Sequence, residues 1–124
     1  MTAASDGDGR PFGGREAEDA ALQHLLRQGL TLVARNYRCR MGELDLIMRD
    51  GEALVFVEVR YRRSSRFGGA LESVDGRKRA RLVQAALHYL QSSAADRPSR
   101  FDVVALTGAA GSLSLQWIKD AFRP

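Results

Sequence analysis

Apolar positions recur along the chain with two different periods, and each change of period marks a new element. In GREAEDAALQHLLRQ, residues 14 to 28, Ala21, Leu22, Leu25 and Leu26 fall at helical spacing, and Gly29 supplies a stop. Three extended segments follow, around Leu30 to Tyr37, Glu43 to Met48, and Ala53 to Tyr61, with Asp50-Gly51 as the hairpin turn between the last two. The stretch SSRFGGALESV, residues 64 to 74, has the small and polar content of a loop. Asp75 then reads as the N-cap of a second helix running to about Gln91, with Leu82, Val83, Ala86, Tyr89 and Leu90 as its inward stripe. Ser92 to Arg100 is a linker containing Pro98, and Phe101 to Leu106 and Leu113 to Ile118 close the chain as two strands around a Gly-containing turn. Met1 to Gly13 has no apolar periodicity and reads as a disordered tail, which leaves residues 14 to 124 as one domain. Helix, three strands, helix, two strands predicts an α/β fold, a mixed sheet flanked by helices.

Strand alternation sorts the acidic residues by face, because residues two apart share a side. In Ala53 to Arg62, Val55, Val57, Val59 and Tyr61 take one face and Leu54, Phe56, Glu58, Arg60 and Arg62 the other, so Glu58 interrupts an apolar face just before it turns basic. In the preceding strand the same rule groups Leu44, Leu46 and Met48 against Glu43, Asp45 and Ile47. A hairpin at Asp50-Gly51 then brings Asp45 and Glu58 to one face near its open end. Two partly buried carboxylates repel each other unless a cation lies between them, and hard Mg²⁺ or Mn²⁺ prefers such oxygen ligands. Glu18 lies close in angle to Leu22 and Leu25 on the first helix, so it faces inward, either as a third metal acid or as the partner of a strand Arg. Glu43 is equally an edge residue paired with Arg38 or Arg40.

Charge adds a partner to this picture. Residues 35 to 81 carry twelve Lys or Arg against seven acids, whereas residues 1 to 34 carry three Arg against five. A basic middle segment is the footprint of a polyanion partner, or a solvated face in an Arg-rich protein. The second helix begins with Arg77, Lys78, Arg79 and Arg81, cations at the positive end of the helix dipole. Local stability does not account for that choice and phosphate binding does, the alternative being a solvated charged end partly neutralised by Asp75. Lys78 lies one turn before Leu82 on the inward side, while Arg77 and Arg81 point outward. The single cysteine, Cys39, excludes an intrachain disulfide and a cysteine-zinc cluster. No apolar run reaches the roughly 20 residues that span a bilayer, and the N-terminus lacks a signal-like apolar stretch, so a cytoplasmic protein without a membrane partner is expected.

Asp45 followed by Glu58-Val59-Arg60 on the next strand resembles the PD-(D/E)XK nuclease signature with Arg in place of its usual Lys. The segments GELDLI and VFVEVRYR, the Phe67-Gly68 loop, the Arg77-Lys78 helix start and the Arg100-Phe101-Asp102 strand together resemble the small bacterial YraN-like family, regarded as related to archaeal Holliday-junction resolvases. This resemblance spans about residues 13 to 122. It implies a restriction-endonuclease-like αβββαβ core and matches Glu18 to the superfamily's first-helix acid. Arg stays protonated and cannot serve as a general base, so Arg60 puts the activity itself in question and shifts water activation to the metal.

These readings lead to a metal-dependent endonuclease acting on structured or branched DNA. Asp45, Glu58 and Glu18 would hold Mg²⁺ or Mn²⁺, and Arg60 and Lys78 would contact the scissile phosphate. Arg35, Arg38, Arg40, Arg62, Arg63, Arg77, Arg79 and Arg81 would grip flanking phosphates, contacts that position a duplex without reading its sequence. A homodimer would suit a two-fold junction. The alternatives are a catalytically inactive nucleic-acid-binding module of the same fold, and an interaction protein whose acids and arginines form a structural network.

Overall fold

A computed structural model of the chain describes residues 13–64, 74–93, 96–109 and 111–123. The expected tail, apart from Gly13, and the interior of the expected 64–74 loop lie outside the described residues. The elements are α1 (Gly14–Arg27), β1 (Thr31–Cys39), β2 (Gly42–Asp50), β3 (Ala53–Arg62), α2 (Gly76–Ser93), β4 (Ser99–Thr107) and β5 (Ser114–Phe122). They form one five-stranded sheet in the order β1-β2-β3-β4-β5. Only β3 and β4 run parallel, and α2 makes the crossover between them; every other neighbouring pair is antiparallel. The fold is thus α/β with a mixed sheet and two flanking helices, consistent with a restriction-endonuclease-like core.

The central strand explains the layering. In β3, Val55 and Val57 pack with α1 while Leu54 and Phe56 pack with α2, so the run LVFV is apolar on both faces. α1 docks through Ala17, Ala21, Leu22 and Leu25, and burying each Leu stabilises the layer by roughly 1.5–3 kcal/mol. This anchoring holds the first turns of α1, with Glu18, against the sheet. α2 buries Leu82, Ala85 and Ala86 on the opposite face, with Val83, Tyr89 and Leu90 partly covered. Its start is capped by Asp75, whose Oδ1 accepts the Lys78 backbone N–H at 3.0 Å. No described helix is long and apolar enough to cross a membrane.

Two strand readings need correction. Strict alternation groups Leu44 with Leu46 and Met48, yet Leu44 packs in the α2 layer with Ile47, while Leu46 and Met48 pack in the α1 layer. The face changes where β1 pairs Arg35 with Leu46 and Tyr37 with Leu44, with Asn36 between them at φ 53°. A non-glycine residue in the left-handed region redirects its strand, and β2 follows. The second correction is at the C-terminal strand, which runs on to Phe122 rather than stopping at Ile118. A register shift between Phe101 and Val103, with Asp120 at φ 52°, breaks the period there and hides the continuation.

Candidate active site

The β2–β3 ladder pairs Asp50 with Ala53 and proceeds to Leu46 with Val57, where it ends. Beyond that point the strands are joined by a side chain: Asp45 Oδ2 accepts the Val59 backbone N–H at 2.8 Å. Glu58, between the ladder's end and this bond, is only 3% exposed. Its Oε2 lies 3.3 Å from Lys78 Nζ and 3.4 Å from Arg60 Nη1. Its Oε1 is buried and has no hydrogen-bond partner among the described residues. An acceptor of this kind carries a desolvation penalty that an ordinary structural carboxylate avoids.

These groups line a cleft of about 280 Å³. Its walls are Gly14, Ala17 and Glu18 of α1, Asp45 of β2, Glu58 to Tyr61 of β3, and Lys78 of α2. The small residues Gly14 and Ala17 leave room beside Glu18. Burial, and then the neighbouring Glu58 charge, push the Asp45 carboxyl up to about 7, against the Val59 N–H and the Lys78 charge, which favour its ionised form. Glu18 is also raised, first by burial and then by Asp45, and opposed by Arg35, whose Nη2 lies 3.5 Å from Glu18 Oε1. Glu18 therefore has both of its expected neighbours, the cleft and a strand arginine. Among the described residues no three Asp, Glu, His or Cys groups come close enough to form a ready set of metal ligands. The assembled unit is the Asp45–Glu58 pair, with Glu18 at the cleft wall.

Chemically, an oxygen pair of this type can be reconciled by a proton or by a hard divalent cation. The all-oxygen donors, the orphaned Glu58 Oε1 and the elevated Asp45 fit such a cation. Lys78 and Arg60 converge on the opposite oxygen of Glu58, so positive charge stands ready at the same cleft for an anion.

The remaining basic residues fall into different places. Arg35 is tied to Asp19 at 2.8 Å as well as to Glu18. Arg38 pairs with Glu43 at 2.7 Å at the exposed end of β1, and Arg40 is exposed in the turn that follows. Arg62 and Arg63 are exposed at the end of β3, and Arg77 and Arg81 on the outside of α2. Arg79 is engaged elsewhere: its Nε donates to the Val74 carbonyl, and its guanidinium lies over the Phe122 ring. Four members of the cleft wall, Gly14, Ala17, Val59 and Tyr61, bear no charge and so give no signal of a site in the sequence. Tyr61 donates its hydroxyl to the Gly108 carbonyl, which fixes the ring at the cleft edge.

Comparison with known proteins adds family to geometry. The model of an uncharacterised protein family, UPF0102, matches residues 17–106. A UPF0102 protein of Nitrosococcus oceani is 53% identical over 112 residues, covering 89% of this chain and 90% of its own. One from Pseudomonas entomophila is 59% identical over 112 residues, covering 88% and 91%, and one from Ectopseudomonas mendocina 58% identical over 111 residues, covering 88% and 92%.

Proposed function

The chain belongs to the uncharacterised UPF0102 (YraN) family, and from that premise we propose that it is a metal-dependent endonuclease of structured DNA, with Asp45 and Glu58 as the metal-binding pair. The observation that carries this reading is Glu58: a buried carboxylate with two cations on one oxygen and none on the other, beside a second carboxylate that burial and Glu58 itself push up to about 7. Asp45 and Glu58 would hold Mg²⁺ or Mn²⁺, with Glu18 at the cleft wall as the third acid. When bound, such an ion lowers the pKa of a coordinated water and screens charge on the phosphate.

The chain's own residues supply the rest. The Val59 N–H fixes the Asp45 carboxylate. Lys78 and Arg60 neutralise Glu58 until substrate arrives and then share their charge with the scissile phosphate, a stabilisation that grows as charge develops in the transition state. Arg60 orients rather than abstracts, because a guanidinium keeps its proton. That residue also sustains the second reading, an inactive nucleic-acid-binding module.

Purified protein incubated with labelled duplex, flap and four-way DNA in Mg²⁺, Mn²⁺ or chelator decides between them. Cleavage that needs metal and disappears in Asp45→Asn and Glu58→Gln is the expected result. Binding without cleavage of any substrate in either metal would favour the inactive module.

A further inference from the structure

A second cavity, of about 430 Å³, adjoins the first and shares Gly14 and Glu18 with it. Its other walls are Arg15, Arg35, Asn36 and Arg38, so three guanidiniums surround one carboxylate. Their states differ. Arg35 is immobilised through Nη2 by Asp19 and Glu18, and its Nε has no acceptor among the described residues. Five N–H donors outnumber the acceptors it meets. Among the described residues Arg38 pairs with Glu43, their side chains 77% and 40% exposed, and such exposed pairs contribute little and yield readily to a better anion. No carboxylate among the described residues pairs with Arg15. Asn36, at φ 53°, is where β1 changes direction and sets Arg35 and Arg38 beside α1. The pocket thus has one guanidinium held by two carboxylates, two arginines on exposed positions in its wall, and Gly14 and Glu18 in common with the carboxylate cleft.

Resting on the nuclease reading, we propose that this pocket is a subsite for a backbone phosphate of the DNA strand that enters the cleft, held by Arg15, Arg35 and Arg38 on the far side of Glu18 from Lys78. Glu18 then separates two anion positions, the scissile phosphate beside Lys78 and Arg60 and its neighbour beside the three arginines. Its negative charge keeps either phosphate from settling between them. A planar guanidinium grips phosphate through two parallel N–H bonds, which suits a site that must place the strand and not merely attract it.

The test is anisotropy of a labelled DNA duplex across a range of salt concentrations, in chelator so that cleavage plays no part. The full-length parent is compared with the double variant Arg15→Ala, Arg38→Ala and with a charge-matched control, Arg49→Ala, Arg97→Ala. Both control residues lie at the hairpin end of the sheet, where Arg97 meets the Glu52 carbonyl. Loss of one phosphate contact lowers the magnitude of the log–log salt slope by about 0.9 and weakens binding several-fold at low salt. The control is expected to keep the parental slope. Parental slope and affinity in the Arg15, Arg38 variant, or an equal loss in the control, would overturn the subsite and leave the nuclease reading intact. A lowered slope confined to the Arg15, Arg38 variant, in a protein that cuts no substrate with Mg²⁺ or Mn²⁺, would sustain the subsite and defeat the nuclease reading. A parent that binds neither this duplex nor a labelled four-way DNA at low salt would overturn both.

Discussion

Asp45 closes the gap left by the β2–β3 ladder, its carboxylate taking the Val59 N–H at 2.8 Å in place of the backbone carbonyl that a continued ladder would supply. One group therefore performs two tasks: it satisfies a backbone donor where the strands part, and it stands beside Glu58 in the cleft. The arrangement favours an ionised Asp45 through the N–H and disfavours it through burial and Glu58, and the second influence prevails.

Stability of the metal-free protein should accordingly fall with rising pH. The Asp45 pKa is raised to about 7 in the folded state from 3.8. Between those values the folded protein holds a proton that the unfolded chain releases, so the stabilising contribution is complete below about pH 4 and is lost as pH rises through 7. Each unit of difference corresponds to about 1.4 kcal/mol, and with solvent relaxation the expected loss is on the order of 1–3 kcal/mol. Asp45→Asn keeps an acceptor for Val59 and cannot titrate. Urea unfolding in chelator at several pH values should show a steeper decline for the parent than for the variant. Parallel curves would mean that Asp45 does not bear this strain.

A different carboxylate holds the fold together. Asp102 is 0% exposed and accepts from Arg100 Nε at 2.9 Å, Trp117 Nε1 at 2.9 Å and the Asp120 backbone N–H at 2.9 Å, while Arg100 also reaches Asp50. Asp102→Asn leaves Arg100 facing one anion fewer and offers donors to donors. Breaking a buried pair from one side costs about 3–5 kcal/mol, so a large drop in urea midpoint is expected. Asp102 pairs with Val57, level with the last rung of the β2–β3 ladder, and the proposed divalent-ion response of the Asp45–Glu58 pair is expected to persist in this variant at low temperature.

The contrast between these acids shows what the sequence conveys. Among the described residues the two helices are legible because each buries one face at helical spacing, the strands are legible from short apolar runs bounded by turn residues, and the Asp50-Gly51 turn sets the register that brings Asp45 to Glu58. The reversal of β2 at Leu44 was illegible, since it depends on the backbone angle of Asn36 in another strand. Asp102 carried no signal of its own network for a similar reason: its partners Trp117 and Asp120 reach it only through the β4–β5 pairing. Position at a helix start groups Arg79 with the phosphate-binding residues, and its contacts with Phe122 and the Val74 carbonyl are visible only in three dimensions. Uncharged walls such as Gly14 matter through the space they leave, which no spacing rule reports.

Glu18→Gln separates two roles that coexist in one side chain. The Arg35 contact at 3.5 Å is partly exposed and Arg35 keeps Asp19, so the stability loss should stay within about 1 kcal/mol. As the third acid of the cleft, Glu18 should matter far more to metal-supported cleavage than to melting. A variant that melts several degrees lower yet cuts at the parental rate would assign Glu18 to packing alone.

The decisive measurement concerns the pair directly. An ion that binds only the folded state raises stability by mass action, by about 2.7 kcal/mol at a hundredfold excess over its dissociation constant. Thermal melts of the parent should therefore shift upward in millimolar Mg²⁺ or Mn²⁺, and neither Asp45→Asn nor Glu58→Gln should shift. Without metal the two variants are expected to part company. Asp45→Asn removes a charge that burial and Glu58 oppose, and should melt at or above the parent. Glu58→Gln leaves Lys78 and Arg60 against a neutral amide, and should melt below it. The ordering in chelator tests the charge balance around Glu58, and the flat response of both variants in metal is expected only if the two acids share one cation site. Equal metal shifts in parent and variants would place the ion elsewhere and leave the inactive nucleic-acid-binding module as the better account.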